Sequence, residues 1–396
     1  MTREELRVAA LESLKEYNNI AIQAATGVGK SKIAFDLINH ISAEHRLNIL
    51  LVVAEIAHFK NWDDEITKWS FNQPVYTICY ASLKKYKGTE WDVIIYDEAH
   101  HLNTAIRLDA FDDIKSRYKI FLSATLKDSL LFRLEETCGK IKSIKVNLQE
   151  AFNSKILAEP KIVLIPLLLD NITQNQVITE EWGKKAKRVE LTCFYKDRWK
   201  FLRSKVKFPN VTLNIICTAK QKYDYITEKF EYYKKRYFTT RNEIIKNKWL
   251  QCGTQRKRFL GLLKTDTARK LINKLLNKRF ICFCTSIEQA ESLGRTHAIH
   301  SKNKDSINII ENFNNKKINN IFAVGMLQEG QNLVDIEAGV IIQLDGEERA
   351  FIQKFGRTLR ADSPIQYIIY YKDTRDEEYL TNALENINKD YIKIME

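Results

Sequence analysis

Glycine is scarce in this chain, at 13 of 396 residues, and five of those fall within the few motifs that carry chemistry: Gly27, Gly29, Gly325, Gly330 and Gly356. In so glycine-poor a sequence each one marks backbone that must approach something closely. The seven cysteines are scattered and form no CxxC pair, which argues against a zinc site or a disulfide framework. Cys282 and Cys284 alternate on a predicted strand and read as core and surface positions. No apolar run approaches the roughly 18 residues that span a bilayer. The opening residues Met1-Thr2-Arg3-Glu4-Glu5 are charged, with no apolar h-region behind them. These absences predict a cytoplasmic protein with no membrane partner.

What is present begins with length and charge. A chain of 396 residues exceeds what one hydrophobic core supports, so two domains are expected. The net charge of +13 is unevenly spread, because 28 Lys and Arg stand against 8 Asp and Glu between Glu181 and Phe280. Such a basic quarter on an otherwise acidic chain is the footprint of a polyanion, most often nucleic acid. Lysine-rich helices with a solvated face give the same count.

The stretch Ala24-Ala25-Thr26-Gly27-Val28-Gly29-Lys30-Ser31 follows the apolar run Ile20-Ala21-Ile22 and opens a helical pattern through Ile33, Ala34, Leu37 and Ile38. Strand, loop and helix in that order turn backbone N–H groups of residues 26–31 around a phosphate, at the positive end of a helix. Lys30 is expected on the β- and γ-phosphates and Ser31 on Mg²⁺. Downstream, Val93-Ile94-Ile95-Tyr96 leads directly into Asp97-Glu98-Ala99-His100-His101. In a phosphate-loop enzyme the first acid holds Mg²⁺ and the second polarises the attacking water, so Asp97 and Glu98 take those roles.

Short apolar runs at residues 48–54, 75–80, 93–96 and 120–122 read as buried strands separated by helical or polar segments, and the alternation predicts a parallel sheet covered on both faces. A domain of residues 1–150 is expected, followed by a second over 158–396 built on strands near 162–169, 280–284, 321–324, 340–344 and 367–371. A basic insertion of about 172–255 interrupts the second domain, mainly helical from Tyr223 onward. Its rings, among them Trp182, Trp199, Tyr232, Phe238 and Trp249, suit either base stacking or the core of a small helical unit. Arg256 and Lys264 open a helix into the second domain and are candidates for phosphate contact. Ile307, Ile310 and Phe313 share one face of a predicted surface helix.

With these residues in hand, the chain resembles the superfamily 2 helicases and translocases that carry an Asp-Glu-Ala-His box. Ser123-Ala124-Thr125 resembles their third motif, and the resemblance implies that Ser123 and Thr125 couple the nucleotide site to a nucleic-acid groove. The runs around Asn61-Trp62 and Tyr80-Ala81-Ser82-Leu83 resemble motifs Ia and Ib, implying backbone contacts by Asn61 and Ser82. Ile281–Ser286 looks like motif IV, with Thr285 on the nucleic-acid side. Val324–Leu333 looks like motif V and includes Gly330, although Asn332 stands where the family often has Asp.

Gln353-Lys354-Phe355-Gly356-Arg357-Thr358-Leu359-Arg360 is similar to motif VI. In that family the two arginines approach the γ-phosphate from the second domain, which implies catalytic roles for Gln353, Arg357 and Arg360. A planar guanidinium neutralises charge that develops in phosphoryl transfer. One departure is the absence of an adenine-reading glutamine upstream of the phosphate loop, where Arg3 or Arg7 is the remaining candidate.

The resemblance implies two RecA-like α/β domains with parallel sheets, ATP and Mg²⁺ as cofactors, and a monomeric motor that translocates on and unwinds nucleic acid, DNA in preference to RNA. An RNA helicase, or a duplex translocase without unwinding, is the alternative. A non-catalytic binding scaffold is a third.

Overall fold

The computed structural model describes residues 2–25, 27–42, 45–203, 210–325, 333–344, 355–356 and 363–395. The chain opens on α1 (Arg3–Ser13), started by a capping box between Thr2 and Glu5. There follow β1 (Asn19–Ala24), α2 (Lys30–Ser42), β2 (Ile49–Val53), α3 (Ala57–Lys68), β3 (Val75–Cys79) and β4 (Glu90–Asp97). Next come α4 (Ala105–Asp113), β5 (Lys115–Ser123), α5 (Asp128–Cys138), β6 (Ile141–Val146) and α6 (Leu148–Asn153).

The strands form one sheet in the order β3-β2-β4-β5-β1-β6, and every pair is parallel. Continuous apolar runs such as Ile49-Leu50-Leu51-Val52-Val53 suit this position because both faces are covered. Ile20, Ile22, Leu51 and Ile95 share one core with residues of α1 and α2, while Ala21, Leu50, Tyr96 and Phe121 share another with α4 and α5.

A second sheet begins at β7 (Lys161–Leu167). The chain leaves it for β8 (Gln176–Trp182), β9 (Val189–Phe194), α7 (Arg198–Arg203), β10 (Val211–Cys217), α8 (Ala219–Thr240), α9 (Glu243–Leu263) and α10 (Thr265–Lys274). It returns through β11 (Phe280–Phe283), α11 (Ile287–Gly294), β12 (Ala298–Ile299), α12 (Ser306–Asn314), β13 (Asn320–Ala323) and β14 (Ala338–Ile341). The chain ends on β15 (Ile365–Tyr371), α13 (Arg375–Leu384) and β16 (Ile392–Ile394). The order is β12-β13-β11-β14-β15-β7-β16, again with parallel pairs. Two parallel α/β sheets of this kind are RecA-like, as the resemblance implied.

Two local readings change. Ahead of the helical hairpin α8–α9 lies a small sheet, β8-β10-β9, in which Val211, Leu213, Ile215 and Cys217 are buried at alternate positions. On α12 the buried face is Ile309, Ile310 and Phe313, and Ile307 is 65% exposed. The helix is rotated from the expected face because the adjacent pair Ile309-Ile310 covers a wider stripe than Ile307 would.

The basic hairpin is fastened to the second sheet by charge. Lys264, at the end of α9, has no exposed surface, and its ammonium lies 2.6 Å from Asp376 of α13, which is equally buried. Lys264 also donates to the Ile342 carbonyl and to Gln343 Oε1, each at 2.9 Å, and Gln343 Nε2 donates to Asp376 Oδ1 at 2.6 Å. Lys264 is therefore an internal tie and not the phosphate contact expected of it. Removing one partner of such a pair strands a buried charge and costs about 3–5 kcal/mol. Urea unfolding is expected to show that loss for Lys264→Met, with part of it recovered when Asp376→Asn is added. Equal stability of Lys264→Met and the natural chain would show that the pair contributes nothing.

Candidate functional site

Three neighbouring strands set the site. β1, β5 and β4 run side by side in parallel, so their C-terminal ends bring the phosphate-loop segment, Ser123 and Asp97 to one edge of the sheet. Ligands of open parallel sheets bind at that edge.

Between Ala24 and the first residue of α2, Gly27 and Gly29 adopt φ of +93° and +103°. This left-handed region is open to glycine and strained for other residues. The Val28 side chain is buried and anchors the loop, while Lys30 Nζ donates to the Ala24 carbonyl at 2.8 Å. Ser31 follows, half-buried, in the first turn of α2, where backbone N–H groups have no intrahelical acceptor. Thr26 lies outside the described residues. Arg3 donates to the carbonyls of Gly27 at 3.2 Å and Ile156 at 3.1 Å, and Arg7 pairs with Glu4. The two arginines left open for the base thus have protein partners.

Asp97 closes β4 with both carboxylate oxygens engaged. Oδ1 accepts the Glu98 N–H at 3.0 Å, and Oδ2 accepts the Trp62 indole N–H at 2.9 Å. Burial and the adjacent Glu98 push the Asp97 carboxyl above its ordinary range, opposed by the Trp62 hydrogen bond and by Lys30. Glu98 is 9% exposed and left-handed at φ +48°, a conformation costing a non-glycine residue about 1–3 kcal/mol.

Its Oε2 lies 3.3 Å from His100 Nδ1, and that same nitrogen is 3.2 Å from Ser123 Oγ. Ser123 in turn donates to the Thr125 carbonyl at 2.9 Å. Glu98, Ser123 and the Thr125 carbonyl are thereby brought together through His100, and Asp97 adjoins them through the Glu98 N–H.

Gln23 was not anticipated. Buried near the end of β1, it accepts the Leu126 N–H at 2.7 Å and donates to Ser143 Oγ at 2.7 Å, holding the 123–126 turn against β1. The available signal was an amide inside an otherwise apolar strand, which must find partners when buried. Asn61 is half-buried on α3, and Ser82 lines a cavity of about 470 Å³ with Glu55, Ile56, Phe59 and Ala81.

Comparison with known proteins fits this geometry. Residues 263–362 match the family described as helicase conserved C-terminal domain, and residues 3–77 match that described as type III restriction enzyme, res subunit. Each match covers only part of the chain, and together with the fold they support a superfamily 2 helicase.

The same matches support an ATP-hydrolysing enzyme of helicase type, a class of ATP-dependent motors that usually use Mg²⁺. No curated protein matches this chain in sequence. Among solved structures it is similar to S. cerevisiae Dbp5 L327V bound to RNA and ADP BeF3, with TM-score 0.58, 10% identity, and 99% and 89% of the two chains covered. It is also similar to a fragment of a putative HsdR subunit of a type I restriction enzyme from Vibrio vulnificus, with TM-score 0.56, 14% identity, and 99% and 67% covered. Those likenesses show the fold. Among the described residues, no helix is long and apolar enough to cross a membrane.

The remaining predicted residues fare differently. Arg256 is 3% exposed and stacks over the Phe230 ring at 4.4 Å, so it is packed inside the hairpin instead of presented to phosphate. Thr285 Oγ1 is buried against α9, where a Cβ on Gly261 would lie 2.1 Å from it. This close approach of helix to loop leaves that hydroxyl facing protein and not a groove. Gly330, Gln353, Arg357 and Arg360 lie outside the described residues.

The loop geometry yields a direct test. Gly29→Ala has space for its methyl group but is strained at φ +103°, by about 1–2 kcal/mol. It is expected to weaken ADP affinity in a fluorescence titration while lowering the melting temperature by only a few degrees, about 2–4 °C per kcal/mol. Unaltered affinity would mean that the loop does not contact the nucleotide.

Proposed function

We propose that the chain hydrolyses ATP between its two RecA-like domains in order to move along DNA and to separate or remodel its strands. The observation that carries this reading is the succession Glu98, His100, Ser123 and Thr125 near the glycine loop, with Glu98 Oε2 3.3 Å from His100 Nδ1, because it runs from the carboxylate after β4 to the turn after β5. On this reading Gly27, Val28 and Gly29, with Thr26, wrap the phosphates, and Lys30 meets their β- and γ-oxygens.

Ser31 and Asp97 offer hydroxyl and carboxylate oxygens, the donor type that Mg²⁺ takes alongside phosphates and water. A buried carboxylate held against a second one also gains strongly from a cation. Mg²⁺, when bound, neutralises charge on the phosphates. Glu98 orients and deprotonates the attacking water. Arg357 and Arg360, with Gln353 and Gly330, complete the site from the second domain. Both walls then come from one polypeptide, which suits a monomer.

DNA is favoured because residues 3–77 match a family named for a restriction-enzyme subunit. The exposed part of the basic hairpin, including Lys235, Arg236, Arg241 and Lys248, supports tracking of a phosphate backbone.

ATP turnover with single-stranded, duplex and forked DNA and with RNA, together with strand release from the fork, tests the proposal. DNA-selective stimulation with strand release is expected. RNA-selective stimulation would assign an RNA helicase, and duplex stimulation without strand release a translocase. No stimulation by any polymer would sink the motor reading. Glu98→Gln is expected to lower turnover about 10²–10⁴-fold while retaining ATP binding, and unchanged turnover would show that the measured activity is not this enzyme's. DNA affinity should fall steeply between about 50 and 200 mM salt. A flat response would count against a backbone-tracking hairpin.

A further inference from the structure

Trp62 is 4% exposed in the middle of α3, within a ring cluster. Its edge meets Phe35 of α2 at 5.7 Å, and Phe35 stacks on Phe71 at 4.4 Å. A purely apolar role there is met by phenylalanine, as its two neighbours show. The indole adds one polar atom, and that atom is aimed at Asp97 Oδ2. A buried indole N–H needs an acceptor, and among the described residues the Asp97 carboxylate accepts from its own neighbour Glu98 and from α3.

The helix that supplies this donor faces other events as well. Phe59 on α3 lines the cavity shared with Ser82, at whose mouth Ile56 is 76% exposed. Asn61, adjacent to Trp62, holds a buried Nδ2 with no hydrogen-bond partner among the described residues. Lys60 Nζ lies 3.4 Å from Glu311 of α12, in the second domain. One short helix therefore touches the candidate groove, the other domain, the helix that follows the phosphate loop, and the carboxylate.

We propose that Trp62 is a positioning residue through which α3 sets the orientation of Asp97, so that engagement of a polynucleotide or of the second domain at α3 is transmitted to the metal-holding carboxylate. The inference rests on the reading of Asp97 as that carboxylate. Hydrogen bonds weaken steeply with angle and distance, so a small rotation of α3 suffices to release Oδ2. The freed carboxylate then turns about its side-chain torsions and presents its oxygens differently.

Trp62→Phe keeps the ring packing and deletes only the donor. The concentration of Mg²⁺ giving half-maximal tight binding of a fluorescent ADP is expected to rise about tenfold, as for loss of a hydrogen bond to a charged group. The ratio of DNA-stimulated to basal turnover should fall with it. Trp62→His, which retains a ring N–H, should recover part of both. Wild-type Mg²⁺ dependence and wild-type stimulation in Trp62→Phe would overturn the inference.

Asp97→Asn run in parallel separates the two levels. If it binds Mg²⁺ and ADP normally, the reading of Asp97 is wrong; if it fails while Trp62→Phe is normal, only the role of Trp62 is. Independently of how the variants fold, the Trp62 indole N–H resonance of the natural chain should shift on adding Mg²⁺ with ADP and again on adding DNA. A resonance unmoved by DNA would refute the transmission.

Discussion

Two carboxylates stand next to each other at the dry end of β4, and the first domain is arranged around making them tolerable. Burial alone disfavours the charged form, and a like charge beside it adds to the cost. The groups that offset this come from separate elements: an indole N–H from α3, a backbone N–H from the 97–98 step, and the charge of an ammonium at the start of α2. To deliver them, α2 and α3 must lie on the same face of the sheet, which the contacts among Phe35, Trp62 and Phe71 enforce. The left-handed turn at Glu98 follows from the same need, because it swings the second carboxylate back toward His100. Strain of this kind persists only where the surroundings over-determine it.

The second domain meets the same physics with the signs balanced. Lys264 and Asp376 cancel inside the protein, and Gln343 fills the remaining hydrogen-bonding positions. Burial pulls the Lys264 ammonium toward neutrality and Asp376 pulls it back. Because this network sits where α9 meets β14 and α13, the hairpin is fixed at its base, and its exposed cations project from a rigid foot. Charge near the base is structural; charge toward the tip faces water.

That division explains what the sequence could and could not reveal. The glycine loop is written in consecutive residues, so its left-handed glycines were legible from spacing alone. The parallel sheets followed from runs buried on both faces. Arg256 and Lys264 were misjudged because a cation on a helix carries no mark of which side it faces. Only the partner decides, and Asp376 lies more than a hundred residues away. β8 and β9 escaped notice because exposed apolar residues such as Val177, Val189 and Phe194, set among polar ones, blur a weak alternation that is clean only in β10. Trp62 was visible as the neighbour of Asn61, but no local pattern connects an indole to a carboxylate on another strand.

The two acids at the end of β4 are also held by different hands. Glu98 is tied through His100 to Ser123 and the turn after β5, while Asp97 is tied through Trp62 to α3. On the proposed reading one acid manages water and the other the metal, so the two halves of the chemistry answer to two separate segments of the groove wall. A site wired in that way assembles fully only when both segments are seated. On that reading nucleotide binding draws on the loop and the metal-holding carboxylate, whereas turnover also requires agreement between two neighbouring strand ends and a helix that touches the opposite domain.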